Sequence, residues 1–168
     1  TLAGAGSGAH PAAFDDFQKS SRTNAEFIRN NGMAQFAATY GHGPTRLQLL
    51  RKDPRGFAEF LRQAGEHDAQ ACAHLAREVM SKRKTVGELE ASLRALRVPT
   101  LIMVGDQDAP CVEPSLMMRA LIPHAGLVVF PACGHTPNIE EPGLFNIHVA
   151  EFPAAVEGGR WAGWRRAT

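Results

Sequence analysis

The sequence predicts an α/β fold in which a helical insertion precedes a parallel βαβα unit, and three observations carry that prediction. Two short apolar runs, Val98 to Val104 and Leu127 to Phe130, flank a segment rich in Leu, Met, Ala and Arg, Glu113 to Leu121, that reads as a helix. Each run closes on a turn: Gly105-Asp106-Gln107-Asp108-Ala109-Pro110 after the first, and Pro131-Ala132-Cys133-Gly134-His135-Thr136 after the second. Upstream, from His10 to Leu96, the apolar residues fall at helical spacing and no strand pattern appears. A strand, a crossover helix and a second strand form a right-handed unit whose strands are parallel, so both carboxyl ends share one edge of the sheet. Open α/β sheets bind ligands at that edge.

Taken in order, residues 1–9 form a glycine-rich loop following a truncated strand, and residues 10–96 a helical insertion. Phe14, Phe17, Ser21, Ala25 and Ile28 line one helical face, with Asn31-Gly32 as its stop. Met33 to Tyr40 is a further helical piece, ended by Gly41-His42-Gly43-Pro44. Asp53-Pro54 sets a capping acid before a proline at the first helical position, ahead of Phe57, Phe60, Leu61 and Ala64. Ala69 to Ser81 carries Cys72, Leu75, Ala76 and Val79 in the same rhythm, and Thr85-Val86-Gly87-Glu88 is a capping box leading into Leu89, Leu93 and Leu96. Residues 97–158 hold the βαβα unit, closed by a helix from Pro142 to Glu157 with Leu144, Phe145, Val149 and Phe152 as its buried stripe. Pro153 lies inside that helix and predicts a kink or break, because an interior proline costs about 3 kcal/mol. Residues 159–168 are a tail whose basic cluster, Arg160 to Arg166 around Trp161 and Trp164, reads as a solvated or sheet-covering end.

The strand ends supply the candidate chemistry. An acid on one and a histidine on the other can meet, the carboxylate accepting Nδ1–H and fixing the tautomer while Nε2 faces a nucleophile or water. Asp108 and His135 are those residues. Asp106 competes with Asp108, but its place directly after Gly105 suits a turn-stabilising role. The opening Gly4-Ala5-Gly6-Ser7-Gly8-Ala9 satisfies a G-x-G-x-x-A dinucleotide pattern and, through Ser7, a small-x-Ser-x-small elbow. Neither context follows, because no second strand with an answering acid arrives, and the buried strand due after an elbow is absent. Ser7 is therefore read as a loop residue, and no nucleophile is assigned.

Val98-Pro99-Thr100-Leu101-Ile102-Met103-Val104-Gly105-Asp106-Gln107-Asp108, followed by Gly134-His135-Thr136-Pro137-Asn138-Ile139-Glu140-Glu141-Pro142, resembles the C-terminal part of an α/β-hydrolase-fold enzyme. In that family the acid ends a strand-G-x-x-D turn and the histidine lies in a G-H-x-x-x-x-E-x-P loop. The resemblance implies an incomplete α/β-hydrolase fold, with Asp108 as the acid, His135 as the base, and residues 10–96 as a helical cap that walls the pocket. It further implies hydrolysis of a small ester, lactone or enol-lactone, with no cofactor and with a nucleophile outside this chain. On that reading the chain alone is inactive.

Composition narrows the partners. With 18 basic against 17 acidic side chains in 168 residues, the chain lacks the concentrated charge of a nucleic-acid or anionic-membrane binder. No apolar run approaches the roughly twenty residues of a bilayer span. No signal-peptide pattern opens the chain, although its start at Thr1 leaves an upstream leader open. Cys72, Cys111 and Cys133 form no disulfide framework, which points to a reducing, cytoplasmic setting. Cys72-Ala73-His74 and Cys133-Gly134-His135 each offer half a zinc site, so no metal is expected. Two alternatives stay open: a binding or assembly module using the exposed strand edge, and a nucleotide-binding domain built on the glycine run. A small sheet with an open edge also predicts association with another copy or with the missing half of the fold.

Overall fold

The computed structural model describes residues 1–6 and 8–161. Three strands form one parallel sheet: β1 (Leu2–Ala3), β2 (Thr100–Gly105) and β3 (Ala125–Phe130), in that spatial order. β2 lies in the middle, pairing Leu101 with Leu2 on one side and with Gly126 on the other. The two strands expected from the apolar runs are thus adjacent and parallel. β3 starts two residues earlier than Leu127. The opening contributes Leu2–Ala3 as an edge strand, which a two-residue pairing among glycines does not announce in sequence.

Helix α1 (Phe14–Tyr40) changes direction at Gly32, whose φ of 80° and ψ of 170° interrupt the helical run. That conformation is open to glycine at little cost, which is why Asn31-Gly32 reads as a stop although the chain turns helical again at once. A short helical turn at Pro44–Arg46 leads into α2 (Leu47–Lys52), an element the sequence pattern does not reveal. α3 (Pro54–Gly65) is capped by Asp53, whose side chain accepts from the Gly56 amide at 2.9 Å. α4 (Ala69–Glu78) is capped in the same way by Asp68.

The core of the insertion is Ala25, Ile28, Met33 and Ala73, with Phe36, Ala69, Cys72 and Ala76 packed around them. Small residues let α1 and α4 approach closely. As a result the buried face of α4 is its alanine face, and Leu75 and Val79, expected inside, are 49% and 51% exposed. The Thr85–Glu88 capping box forms reciprocally: the Glu88 amide donates to Thr85 Oγ1 at 3.2 Å, and the Thr85 amide donates to Glu88 Oε2 at 2.8 Å. A turn separates it from α5 (Glu90–Ala95). Leu93 and Leu96 pack on Ile102, Ile122 and Ala125, so α5, although part of the segment 10–96 expected as the insertion, lies against the sheet-side core.

α6 (Ala109–Leu121) crosses from β2 to β3 and begins four residues before Glu113, with proline in its first turn. Beyond β3 come α7 (Pro137–Glu140) and α8 (Pro142–Glu157). The break expected at Pro153 is absent. α8 runs on through this exposed residue to Glu157, the fixed φ of proline being compatible with a helix. Leu144, expected in the buried stripe, is 46% exposed, whereas Phe152 is buried and meets Trp161 edge-on at 4.8 Å. Trp161 donates from Nε1 to the His124 carbonyl at 3.1 Å and packs over Gly126, covering the start of β3. The rest of the basic tail, from residue 162 on, lies outside the described residues. No helix among the described residues is long and apolar enough to cross a membrane.

Candidate acid–histidine site

The loops leaving β2 and β3 are fastened to one another before any side-chain chemistry is considered. The Asp106 amide donates to Phe130 O at 3.0 Å, and the Gln107 amide to Cys133 O at 2.9 Å. Asp106 Oδ1 in turn accepts from the Cys133 amide at 3.0 Å. Gly105 makes this approach possible. A Cβ there would lie 2.2 Å from Gly134 O and 2.3 Å from Cys133 O, and because both are backbone atoms neither can swing away. Asp106 therefore braces the turn, as its position after Gly105 predicts.

Asp108 occupies the N-cap position of α6, where a carboxylate ordinarily accepts from the first free amides of the helix. It makes no such bond. Instead His135 Nδ1–H donates to Asp108 Oδ2 at 2.7 Å, with the Asp108 side chain 5% and the His135 side chain 30% exposed. Asp108 Oδ1 is buried without a hydrogen-bond partner among the described residues. Leaving a buried acceptor unsatisfied costs about 1–3 kcal/mol, so this orientation is not the one that local capping alone would choose.

The histidine loop has its own scaffold. Glu140, only 7% exposed, accepts from the Gly134 amide at 2.6 Å and from the Thr136 amide and hydroxyl at 3.0 and 2.8 Å. Ala132 takes a positive φ of 51°, an uncommon conformation for a residue with a Cβ, just before the loop turns toward His135. The helical insertion reaches the site through the segment the sequence left unassigned. Thr45 O accepts from the His135 amide at 3.0 Å, Gln48 contacts Gln107, and Lys52 pairs with Glu141. Sequence reasoning placed Glu140 in a motif without giving it a task, and it missed residues 44–52 because six residues of helix are too short to show a period.

Cys111 and Cys133 do not play alike. Cys111 Sγ lies 3.8 Å from His135 Nδ1, whereas the buried Cys133 thiol faces the Gly134 carbonyl at 3.8 Å. Burial, reinforced by the Glu140 carboxylate, pushes the Cys133 thiol up to about 12. Asp108, Cys111 and His135 bring three metal-ligand types within 4.8 Å of one another, a set distinct from the Cys-x-His pairs of the sequence. Two atoms bound tetrahedrally to one zinc stand about 3.3 Å apart, given bonds near 2.0–2.1 Å. The 2.7 Å between Nδ1 and Oδ2 is the separation of a hydrogen bond. Ser7 lies outside the described residues. A separate cavity of about 450 Å³, lined by Arg22, Glu26, Arg29, Gln70, His74 and Arg77, opens between α1 and α4 and contains none of the strand-end residues.

Comparison with known proteins agrees with this architecture. The structure is similar to MenH from S. aureus (TM-score 0.77, 21% identity, covering 85% of this chain and 53% of that one). It is also similar to a thermophilic esterase from Thermogutta terrifontis (TM-score 0.71, 26% identity, 84% and 51%). A third similar structure is the enol-lactonase from Burkholderia xenovorans LB400 (TM-score 0.67, 20% identity, 79% and 49%). The chain thus spans about half the length of these solved relatives. No curated protein matches the sequence. The sequence profile described as the Alpha/beta hydrolase family matches residues 3–146. With that match over most of its length, and with a parallel sheet carrying an acid and a histidine on neighbouring strand ends, the chain belongs to the alpha/beta hydrolase family.

Proposed function

We propose that this chain supplies the acid and the base of a serine-type hydrolase acting on a small ester or lactone. The observation that carries the reading is the 2.7 Å hydrogen bond between a buried Asp108 and a partly exposed His135 at adjacent carboxyl ends of a parallel sheet. With Nδ1–H held by Asp108, the neutral ring keeps Nε2 free to accept a proton. As a serine hydroxyl attacks the ester carbonyl, His135 takes its proton. The imidazolium that forms is stabilised by Asp108, and the proton then passes to the departing alcohol, leaving an acyl-enzyme that water cleaves by the same route. The serine and the amides that stabilise the oxyanion come, on this reading, from residues outside this chain. On this reading the chain by itself orients a histidine, and the oxyanion stabilisation, worth several kcal/mol, comes with those other residues.

Exposed apolar side chains support association with the remainder of such a fold or with another copy. Val129 on β3, Leu116 on α6 and Ile147 on α8 are each about half exposed, at 46%, 51% and 51%. Three free cysteines suit a reducing, cytoplasmic setting. The test is hydrolysis of a panel of 4-nitrophenyl esters and small lactones by the complete polypeptide its gene encodes. Turnover of short esters or lactones that depends on His135 is expected. No turnover across the panel would remove the reading.

A further inference from the structure

Two helices of the insertion build a charged groove from one sequence spacing. On α1, Arg22, Glu26 and Arg29 fall at i, i+4 and i+7, and on α4 Gln70, His74 and Arg77 do the same. Residues so spaced share one face of a helix. Ala25 and Ala73, both buried, lie at the base, and their small side chains leave a cavity of about 450 Å³ between the two polar rows. The helices run antiparallel, since Gln18 Nε2 donates to Ser81 O at 2.8 Å whereas Ala25 and Ile28 cluster with Ala73. Arg22 therefore shares one end of the groove with Arg77, and Arg29 shares the other with Gln70. Glu26 and His74 lie between.

Three guanidiniums line this groove against one carboxylate. Glu26 has helical ion-pair spacing to both Arg22 and Arg29, yet it pairs with neither, and neither arginine has a hydrogen bond or ion pair among the described residues. Arg77 is held differently. Its Nε donates to Glu78 Oε1 at 2.7 Å, which orients the guanidinium and leaves its terminal nitrogens without a partner among the described residues. Because Glu78 also pairs with Lys82, the Arg77–Glu78–Lys82 chain keeps a net positive charge. Arg22, Arg29 and Arg77 are exposed and line an open cavity, so a ligand reaches them directly from solvent. Its volume is that of a small-molecule site.

The geometry points to a second ligand site, separate from Asp108 and His135, that binds the phosphate monoester of a hydroxylated small molecule with its phosphate between Arg22 and Arg77. Guanidiniums from opposite walls approach an anion from two directions, which suits a tetrahedral group with three acceptor oxygens. A carboxylate, with two coplanar oxygens, is satisfied by one fork. Seven residues of helix separate Arg22 from Arg29 by roughly 10 Å, too far for one phosphate to bridge, so the body of the ligand fills the rest of the groove. Glu26 in the middle repels a second anionic group and accepts from a hydroxyl, while Arg29 and Gln70 donate at the far end. The site does not depend on the hydrolase reading.

The experiment titrates the complete polypeptide with glucose 6-phosphate, glucose and inorganic phosphate at about 0.15 M salt, followed by ¹H–¹⁵N NMR of the backbone amides. Glucose 6-phosphate should shift the amides of residues 22–29 and 70–77 saturably. It should bind at least about fivefold more tightly than phosphate and tenfold more tightly than glucose. Arg22→Gln and Arg77→Gln should each weaken the sugar phosphate by about fivefold or more. Arg62→Gln, which removes an exposed cation from α3, should leave its binding unchanged. Absence of a saturable shift in those residues, equal affinity for phosphate and its ester, or shifts confined to the loops of Asp108 and His135 overturns the proposal whether or not the variants fold. Poly-L-glutamate bound at these helices, with the phosphate ester left unbound, overturns it too and makes the groove a seat for an acidic protein segment.

Discussion

Asp106 and Asp108 sit two residues apart on one loop and grip the same neighbouring loop at different points: Asp106 Oδ1 holds the Cys133 amide at 3.0 Å, and Asp108 Oδ2 holds His135 Nδ1 at 2.7 Å. The first contact fixes backbone and the second fixes a side chain, so substitutions should separate them. Asp106→Ala removes the acceptor of the Cys133 amide and should lower stability by about 1–2 kcal/mol, measured by urea denaturation. Asp108→Asn should leave stability closer to the original and lower kcat for an activated ester by about 10³-fold or more, because the amide favours the wrong imidazole tautomer. Equal rate losses for the two variants would contradict the division.

Glu140 should prove as necessary to the loop as Asp108 is to the ring. Its carboxylate accepts three hydrogen bonds at Gly134 and Thr136 while nearly buried. Glu140→Gln turns one acceptor into a donor facing an amide, and should destabilise the protein by about 1.5–3 kcal/mol. Denaturation midpoints check this, and an unchanged midpoint would show that the loop is held elsewhere.

Cys133 should be inert and Cys72 reactive. The Cys133 thiol is pushed up to about 12 by burial and by Glu140, whereas Cys72 is only partly buried. Iodoacetamide at pH 8 should modify Cys72 in the folded protein and reach Cys133 only after denaturation, as peptide mass analysis will read. The linkage has a definite sign. A thiol whose folded pKa exceeds its unfolded value near 8.5 favours folding fully below that value, and the contribution disappears as pH rises from about 8.5 to 12. The stability difference between the original protein and Cys133→Ala should therefore shrink over that alkaline window.

Pro153 offers a gain. α8 continues through it, and the residue is exposed. Pro153→Ala restores an amide donor to the helix and should raise stability by about 1–2 kcal/mol, the helical penalty of proline being partly offset by its restraint of the unfolded chain. Calorimetry should show a higher Tm, and a lower one would mean that the ring contributes packing that this exposed position does not suggest.

Sequence revealed the parts of the fold that depend on long local patterns. The strand runs, the Asp53 cap, the Thr85–Glu88 box and the break at Gly32 all rest on residues within one or two turns of each other. The pairing of Asp108 with His135 was also legible, because a right-handed crossover leaves little freedom in where two parallel strand ends lie. What was illegible depends on distant partners. β1 exists through its pairing with Leu101 and Ile102, α2 through its contacts with the strand-end loops, and the inward face of α4 through the nearness of α1. Arg83 belongs to no pattern that the sequence singles out, and only the fold sets it on Phe17.

The proposed hydrolysis depends most directly on His135 as the proton acceptor. The decisive measurement is kcat/KM for 4-nitrophenyl butyrate with the complete polypeptide its gene encodes, comparing the original with His135→Ala at matched folded concentration. The expected result is a loss of at least about 10³-fold, carried by kcat with KM little changed. A variant that retains its rate within about threefold would show that the Asp108–His135 pair braces two loops and does no chemistry.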